Sequence, residues 1–431
     1  MERAMNKQNE QIGSRLVRLS QVSMMKQVEP LSYALFPGYH CPLMGAMLTI
    51  GKIRDAVMLV IGPDECTYYT KMATSDGGRM AAEGCKIVSV VLDQHDVTFG
   101  CKESITEAFQ ELSEEYHPQC VFMVTTCVPE VTGDDVESMA EVFRREYGFP
   151  VVVVHAENFK TDDHMPGIEH TMTGCLGLME PKPCNDSVNI LGLRLGDFSK
   201  TEVCRILKES GVPIGMSLPG NCSVADIQNA AAAKVNLVVH PVGLPLAKAM
   251  HEKFGIPYVD FERFSRPDSI LTAYEQLFAA LEKPMPEQLR TAYADAVARS
   301  EAAAPKLKGL TYFSGNTALC NFELHAFLTE LGMEPVLLQI SDLEDIDRRW
   351  RDMILAHCDP YVTRAANMGA LGYMYPILKP DMNIGAGTGP EMRAVGTVMV
   401  RMMNAYNMLG FEVNQMVIAA MLKAAAERSK Q

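Results

Sequence analysis

The strongest constraint on this chain is an alternation kept up over most of its length, in which short apolar runs are separated by longer amphipathic segments. The runs AVMLVIG, KIVSVVL, CVFMVTT and VVVVHA fall in the first part of the chain. A strand buried on both faces reads as a continuous apolar run, whereas a strand with one wet face alternates. Between the runs lie stretches such as KESITEAFQELSEEY and DDVESMAEVFRREYG, whose apolar residues recur at helical spacing. Strand and helix in regular succession give parallel sheets with crossover helices, the α/β class.

The pattern breaks at GLMEPKPCND, rich in proline and charge. A second unit follows with SVNILGLRLG, the strand VNLVV and the stretch IPYVDF. The helix-rich connector PEQLRTAYADAVARSEAAA leads to a third, with KGLTYFSGN, ALCNFELHAFLTELG and EPVLLQIS. The expected division is α/β domains over 30–182, 186–283 and 306–382, then a helical tail over 383–431. A length of 431 residues with 48% apolar content supports several cores. The net charge of −14 argues against tracking a nucleic-acid backbone. The polar start MERAMNKQNEQIGSRLVRLSQ is unlike a signal peptide, and no apolar run approaches a membrane span, so a soluble cytoplasmic protein is expected.

The chain has twelve cysteines and no C-x-x-C, which disfavours zinc ribbons and dithiol redox motifs. The cytosol also disfavours a disulfide framework. Cys85, Cys120, Cys175, Cys204 and Cys320 read as small buried apolar residues, and Cys101, Cys184, Cys222 and Cys358 receive no role. Three others stand apart: Cys41 in GYHCPLMGA, Cys66 in AVMLVIGPDECTYYT and Cys127 in CVFMVTTCVPEVTGDD. Cys66 and Cys127 follow strand ends, where open α/β sheets bind ligands. Gly62-Pro63 and Val128-Pro129 force turns beside them, and turns free backbone N–H groups to face inorganic sulfur. Thiolates are the preferred ligands of iron–sulfur clusters.

In that order and separation, GYHCPLMGA, GPDECTYY and TTCVPEVTGDD resemble the cluster-binding motifs of the nitrogenase component 1 superfamily. The likeness spans roughly residues 32–340. It is greatest to the α-type subunits, and among them to the cofactor-assembly scaffold subunit. The resemblance implies three Rossmann-like domains with parallel sheets around a central cleft. It implies that Cys41, Cys66 and Cys127 ligate an iron–sulfur cluster at a subunit interface. That cluster is a 4Fe-4S cluster if the partner gives one ligand, or an eight-iron cluster if it gives three. The implied partners are a homologous β-type subunit or a second copy, and an ATP-dependent iron protein that delivers electrons. The chain has no P-loop of its own.

The chain departs from the family at His240, in VNLVVHPVGLP, where the nitrogenases and scaffolds carry a cofactor-anchoring cysteine. His240 reads as a substitute iron ligand, as a proton donor in a catalytic pocket, or as a strand-end histidine bonded to backbone. Three roles are therefore implied, and the leading expectation is the catalytic one, an oxidoreductase subunit that takes electrons from the iron protein and reduces a substrate or metallocofactor in the cleft, with the non-catalytic scaffold as the alternative. One is reduction of another substrate through the interface cluster. Another is scaffolding of a nascent cofactor, and the last is catalysis with a second, remodelled metallocofactor in the cleft. His357 in LAHCDPY matches the family's second cofactor ligand only by rough position. His40, next to Cys41, is a candidate to shield or hydrogen-bond the cluster, while Asp134 and Asp135 are expected to cap a helix and Tyr68 and Tyr69 to pack. NIGAGTGPE does not clearly follow a strand, so a dinucleotide site there is disfavoured.

Overall fold

The computed structural model describes residues 12–29, 31, 41–74, 84–161, 163–193, 195–220, 222–315, 319, 321–340, 343, 345–364, 368–385, 387 and 389–430. A short β1 (Val17–Arg18) precedes the first unit, which holds β2 (Ile53–Arg54), β3 (Ala56–Gly62), β4 (Lys86–Val91), β5 (Cys120–Thr125) and β6 (Val151–His155). The second holds β7 (Val188–Leu191), β8 (Ile214–Leu218), β9 (Cys222–Ser223), β10 (Val235–Val238) and β11 (Tyr258–Asp260). The third holds β12 (Thr311–Ser314), β13 (Glu334–Ile340), β14 (Tyr361–Arg364), β15 (Met382–Ile384) and β16 (Val398–Val400).

All strand pairs are parallel except β1 against β14. The spatial orders are β4-β3-β5-β6, β11-β10-β7-β8 and β1-β14-β13-β12-β15-β16. In each sheet the chain winds outward in one direction and then reverses. The reversals leave crevices between β3 and β5, between β7 and β10, and between β12 and β15. Such switch points are where ligands bind in open sheets.

The apolar runs sort as a pleated strand requires. Val57, Leu59 and Ile61 of β3 face a core with Phe109 and Phe143, whose rings stack at 4.1 Å. Met58 and Val60 face the other way, into a core shared with Leu191, Met216, Leu218 and Val242 of the second unit. The two-stranded pairing of β2 with β9 and an Arg54–Asp226 ion pair at 3.3 Å close the rim of that junction.

The first unit carries one very close helix contact. A Cβ on Gly45, in the helix Pro42–Ile50, would come within 1.9 Å of the His164 carbonyl oxygen. One on Gly167, in the helix Met165–Gly174, would come within 1.8 Å of the Pro42 carbonyl oxygen. The two helices touch through these glycines because any side chain would meet rigid backbone.

The second and third units are joined by buried carboxylates. Glu202 accepts from Tyr274 Oη at 2.7 Å and from the N–H groups of Phe411 and Glu412 at 3.1 Å, at the start of the helix Phe411–Arg428. Glu323 accepts from the N–H groups of Ser265 and Arg266 at 2.8 Å. Burial pushes Glu323 up to about 7 against the pull of those donors.

The structure departs from the expected tail. β15 runs past residue 382 and β16 lies beyond it, so the third sheet extends to Val400 before the final helix. NIGAGTGPE begins with the last two residues of β15 and ends in the short helix Gly389–Ala394, so its Gly-rich part does follow a strand, contrary to expectation.

Gly167→Ala is expected to cost about 1–3 kcal/mol, the usual penalty of overpacking, and to lower the melting temperature by several degrees. An unchanged melting curve would contradict the close helix contact. Glu323, with its native pKa raised above its unfolded value of 4.5, binds more protons folded than unfolded. Its contribution therefore falls as pH rises from about 4.5 through about 7 and then levels off. Thermal melts of wild type and Glu323→Gln across that range are expected to diverge, with the wild type losing more.

Candidate metal centre

The three singled-out cysteines are placed by helix starts. Cys41 immediately precedes the helix Pro42–Ile50, whose proline suits a first turn lacking N–H partners. Cys66 lies in the first turn of the helix Asp64–Thr74, just after β3 and the Gly62-Pro63 turn. Cys127 opens the helix Cys127–Thr132 after β5. All three are half-buried.

The switch point brings Cys66 and Cys127 together. Thr126 N–H donates to the Ile61 carbonyl at 3.1 Å, carrying the β3–β5 pairing to the mouth of the crevice. There the bare Gly62 admits the Thr126 side chain, whose Oγ1 would lie 2.3 Å from a Cβ at position 62. Cys41 comes from outside the sheet, at the start of the helix held by the Gly45–Gly167 contact. Convergence is visible in the Cys66 thiol, which is pushed up first by burial, then by the charges of Cys41, Cys127 and Glu65, with the Thr126 hydroxyl opposing. Asn158 N–H, beyond β6, donates to Cys127 Sγ at 3.1 Å. Such N–H donors to sulfur tune the potential of an iron–sulfur centre.

Spacing separates this group from a site for one ion. Among the described residues, one trio of candidate ligands, Asp93, His95 and Asp96, has its ligand atoms within 4.8 Å of one another. That trio is a helix cap, with Asp93 accepting from the N–H groups of His95 and Asp96, and Ser104 donating to Asp96. The three cysteines are not grouped so tightly, whereas one tetrahedral ion at about 2.3 Å from each sulfur needs sulfurs about 4 Å apart. A polynuclear centre fits the wider set.

His240 lies at the equivalent point of the second sheet. It follows β10 by two residues, as Cys127 follows β5, and a Cβ on Gly192, after β7, would come within 2.8 Å of its carbonyl oxygen. Its Nδ1 accepts from Val242 N–H at 3.2 Å. A neutral ring so held carries its proton on Nε2, which makes that nitrogen a donor rather than a metal ligand.

The remaining expectations divide. Cys85, Cys120, Cys175 and Cys204 are buried, while Cys320 and His40 lie outside the described residues. Asp135 caps the helix Val136–Tyr147 through Ser138 N–H, but Asp134 accepts from Cys101 N–H instead, ahead of the helix Lys102–Tyr116. His357 is exposed at the amino-terminal side of β14, on the far side of the sheet from any switch point. Tyr68 is 62% exposed rather than packed. With Met72, Val97, Phe99 (76%), Val131 (74%) and Phe159 it leaves apolar surface around the carboxyl ends of β3–β6. Glu130 and His155, hydrogen-bonded at 2.5 Å beside Cys127, carry no sequence signal beyond lying near strand ends.

Residues 41–412 match the family model described as nitrogenase component 1 type oxidoreductase. The nitrogenase iron-molybdenum cofactor biosynthesis protein NifE of Clostridium pasteurianum is 30% identical over 53% of this chain and 51% of its own length. The nitrogenase molybdenum-iron protein alpha chain of the same organism is 27% identical over 49% and 42%. The chain thus spans about half the length of these curated relatives. A solved chain described as nitrogenase Cp1 at pH 6.5 shares the fold, with a TM-score of 0.76 and 17% identity over 93% of this chain and 95% of that one. No helix among the described residues is long and apolar enough to cross a membrane.

In the metal-free protein, exposed Cys184 is expected to alkylate quickly near pH 8 and Cys66 more slowly. Cys120 and Cys175, with thiols raised far by burial, are expected to react only on unfolding. Peptide mass spectrometry reads the order, and Cys66 reacting as fast as Cys184 would refute the crowding of the three thiols.

Proposed function

We propose that this chain, which belongs to the nitrogenase component 1 type oxidoreductase family, holds an iron–sulfur cluster through Cys41, Cys66 and Cys127 and serves as a scaffold subunit in assembly of a nitrogenase-type cofactor. The observation that carries this reading is the meeting of three half-buried thiols at the switch point of the first sheet, too widely spaced for one ion. The family and its cofactor-biosynthesis members imply iron–sulfur clusters. The cluster supplies one-electron chemistry; the protein supplies the thiolates, the Asn158 N–H on sulfur, and the Thr126 hydroxyl beside Cys66. Three ligands leave the centre incomplete, and the apolar surface around it suits a partner that completes it, a homologous β-type subunit or a second copy. A four-iron cluster needs one partner ligand and an eight-iron cluster three.

A second reading is a reductase fed by an ATP-dependent iron protein. The state of His240 favours it, because a ring with its proton on Nε2 suits proton donation better than anchoring a cofactor.

Iron, acid-labile sulfide and EPR on anaerobic wild type and Cys127→Ala test the common part. About four or eight irons per assembly, with the signal lost in the variant, are expected. No iron in the wild type would overturn the reading. Incubation with an apo-acceptor separates the two functions. Transfer of a multi-iron species supports the scaffold, and ATP-dependent turnover without transfer supports the reductase.

A further inference from the structure

Beside Cys127 the first sheet builds an imidazole held between two carboxylates, a grouping that binding a cluster does not require. His155 closes β6 and pairs in register with Thr125 of β5. Its Nδ1 lies 2.5 Å from Glu130 Oε1 and its Nε2 lies 3.3 Å from Glu137 Oε1. Thr125 Oγ1 donates to the same Glu130 oxygen. Glu130 belongs to the helix that Cys127 opens, and its side chain is 16% exposed, against 59% for Glu137. The ring thus links a sheltered carboxylate on the helix that Cys127 opens to one in open solvent.

Other charged groups face this ring from the neighbouring elements. Glu157, beyond β6, is buried, pairs with Lys160 at 2.5 Å and senses the charge of His155. Lys160 in turn senses Glu130. From the helix Met165–Gly174, His170 Nδ1 meets the His155 carbonyl at 2.8 Å. Burial pulls His155 down, but Glu130 and then Glu137 outweigh it and leave the ring above its ordinary value. With acceptors at both nitrogens, the site is shaped for the doubly protonated ring.

We propose that His155 takes up one proton from solvent, by way of Glu137, when one electron reaches the three-cysteine face. This rests on the cluster reading of Cys41, Cys66 and Cys127. The electron comes from a low-potential one-electron donor and stays on the centre the thiols hold. The proton comes from bulk water and stays on the imidazole, and no bond between heavy atoms forms or breaks. Negative charge arriving beside β5 strengthens the ring's hold on its proton, and by reciprocity the proton favours arrival of the electron. His155 touches neither sulfur nor substrate here, so it is a positioning residue.

The test is a redox titration of the anaerobic, iron-loaded protein, followed by EPR at a series of pH values from about 6 to about 9, spanning the ordinary imidazole range. Rising pH makes the proton harder to take up, so the midpoint potential is expected to fall. Above the ring's pKa it approaches a tenfold change in the equilibrium per pH unit, about 59 mV for one electron. His155→Gln is expected to keep its iron and flatten that dependence. Glu137→Gln, a change at an exposed side chain, removes one raising influence and is expected to move the bend to lower pH. A wild type with pH-independent potential, an unchanged slope in His155→Gln, or an unmoved bend in Glu137→Gln would each overturn the coupling. Absence of iron from the wild type would overturn the cluster reading instead, so the two failures are distinct.

Discussion

The pairing of β3 with β5 is the interaction on which the rest of the site depends. These strands are adjacent and parallel, yet their connections leave in opposite directions. Two helix starts are therefore delivered to one crevice, and two thiols separated by sixty residues become neighbours. The contact is made close by one missing side chain, since only glycine at 62 leaves space for Thr126. The third thiol depends on a similar economy of bulk. Gly45 and Gly167 let two helices touch along their backbones, and the first of those helices begins at Cys41. Three small gaps in the packing position three sulfurs.

That arrangement also explains why the cores are not confined to single units. β3 sends alternate residues into a core of its own unit and into one shared with the second. A displacement of the second unit would therefore be felt along β3, and hence at Gly62. Buried carboxylates extend the same coupling to the third unit, because Glu202 accepts from the first N–H groups of the last helix and Glu323 from N–H groups just ahead of another, each in a different part of the chain. Removing such a carboxylate leaves buried donors without partners, which is costlier than the bond itself is favourable.

Much of this was legible in the sequence, for stated reasons. Strands buried on both faces leave continuous apolar runs, so β3, β5 and β6 stand out, and the cysteines just past the ends of β3 and β5 invite the metal reading. β15 and β16 span three residues each, too short to register as runs, which is why the third sheet was expected to end early and the Gly-rich segment was not expected to follow a strand. The capping of one helix by Asp135 followed from its position, but the pairing of Asp134 with Cys101 N–H joins residues 33 apart and depends on how two helices pack. The Glu130–His155 pair is hidden for the same reason, since strand register rather than spacing brings it together.

The first two sheets share one winding, and that equivalence gives His240 its meaning. Cys127 and His240 each follow the inner strand of a switch point by two residues, so the fold offers the same kind of position twice. In the first sheet it presents a cysteine whose sulfur accepts a backbone N–H from Asn158. In the second it presents an imidazole whose Nδ1 is occupied by Val242 N–H. A sulfur can accept a hydrogen bond and still ligate, whereas a neutral ring that accepts at one nitrogen must carry its proton on the other. Cysteine at one such position and histidine at the other therefore offer different chemistry, a sulfur that accepts and stays open to a ligand against a ring whose proton is fixed on its far nitrogen.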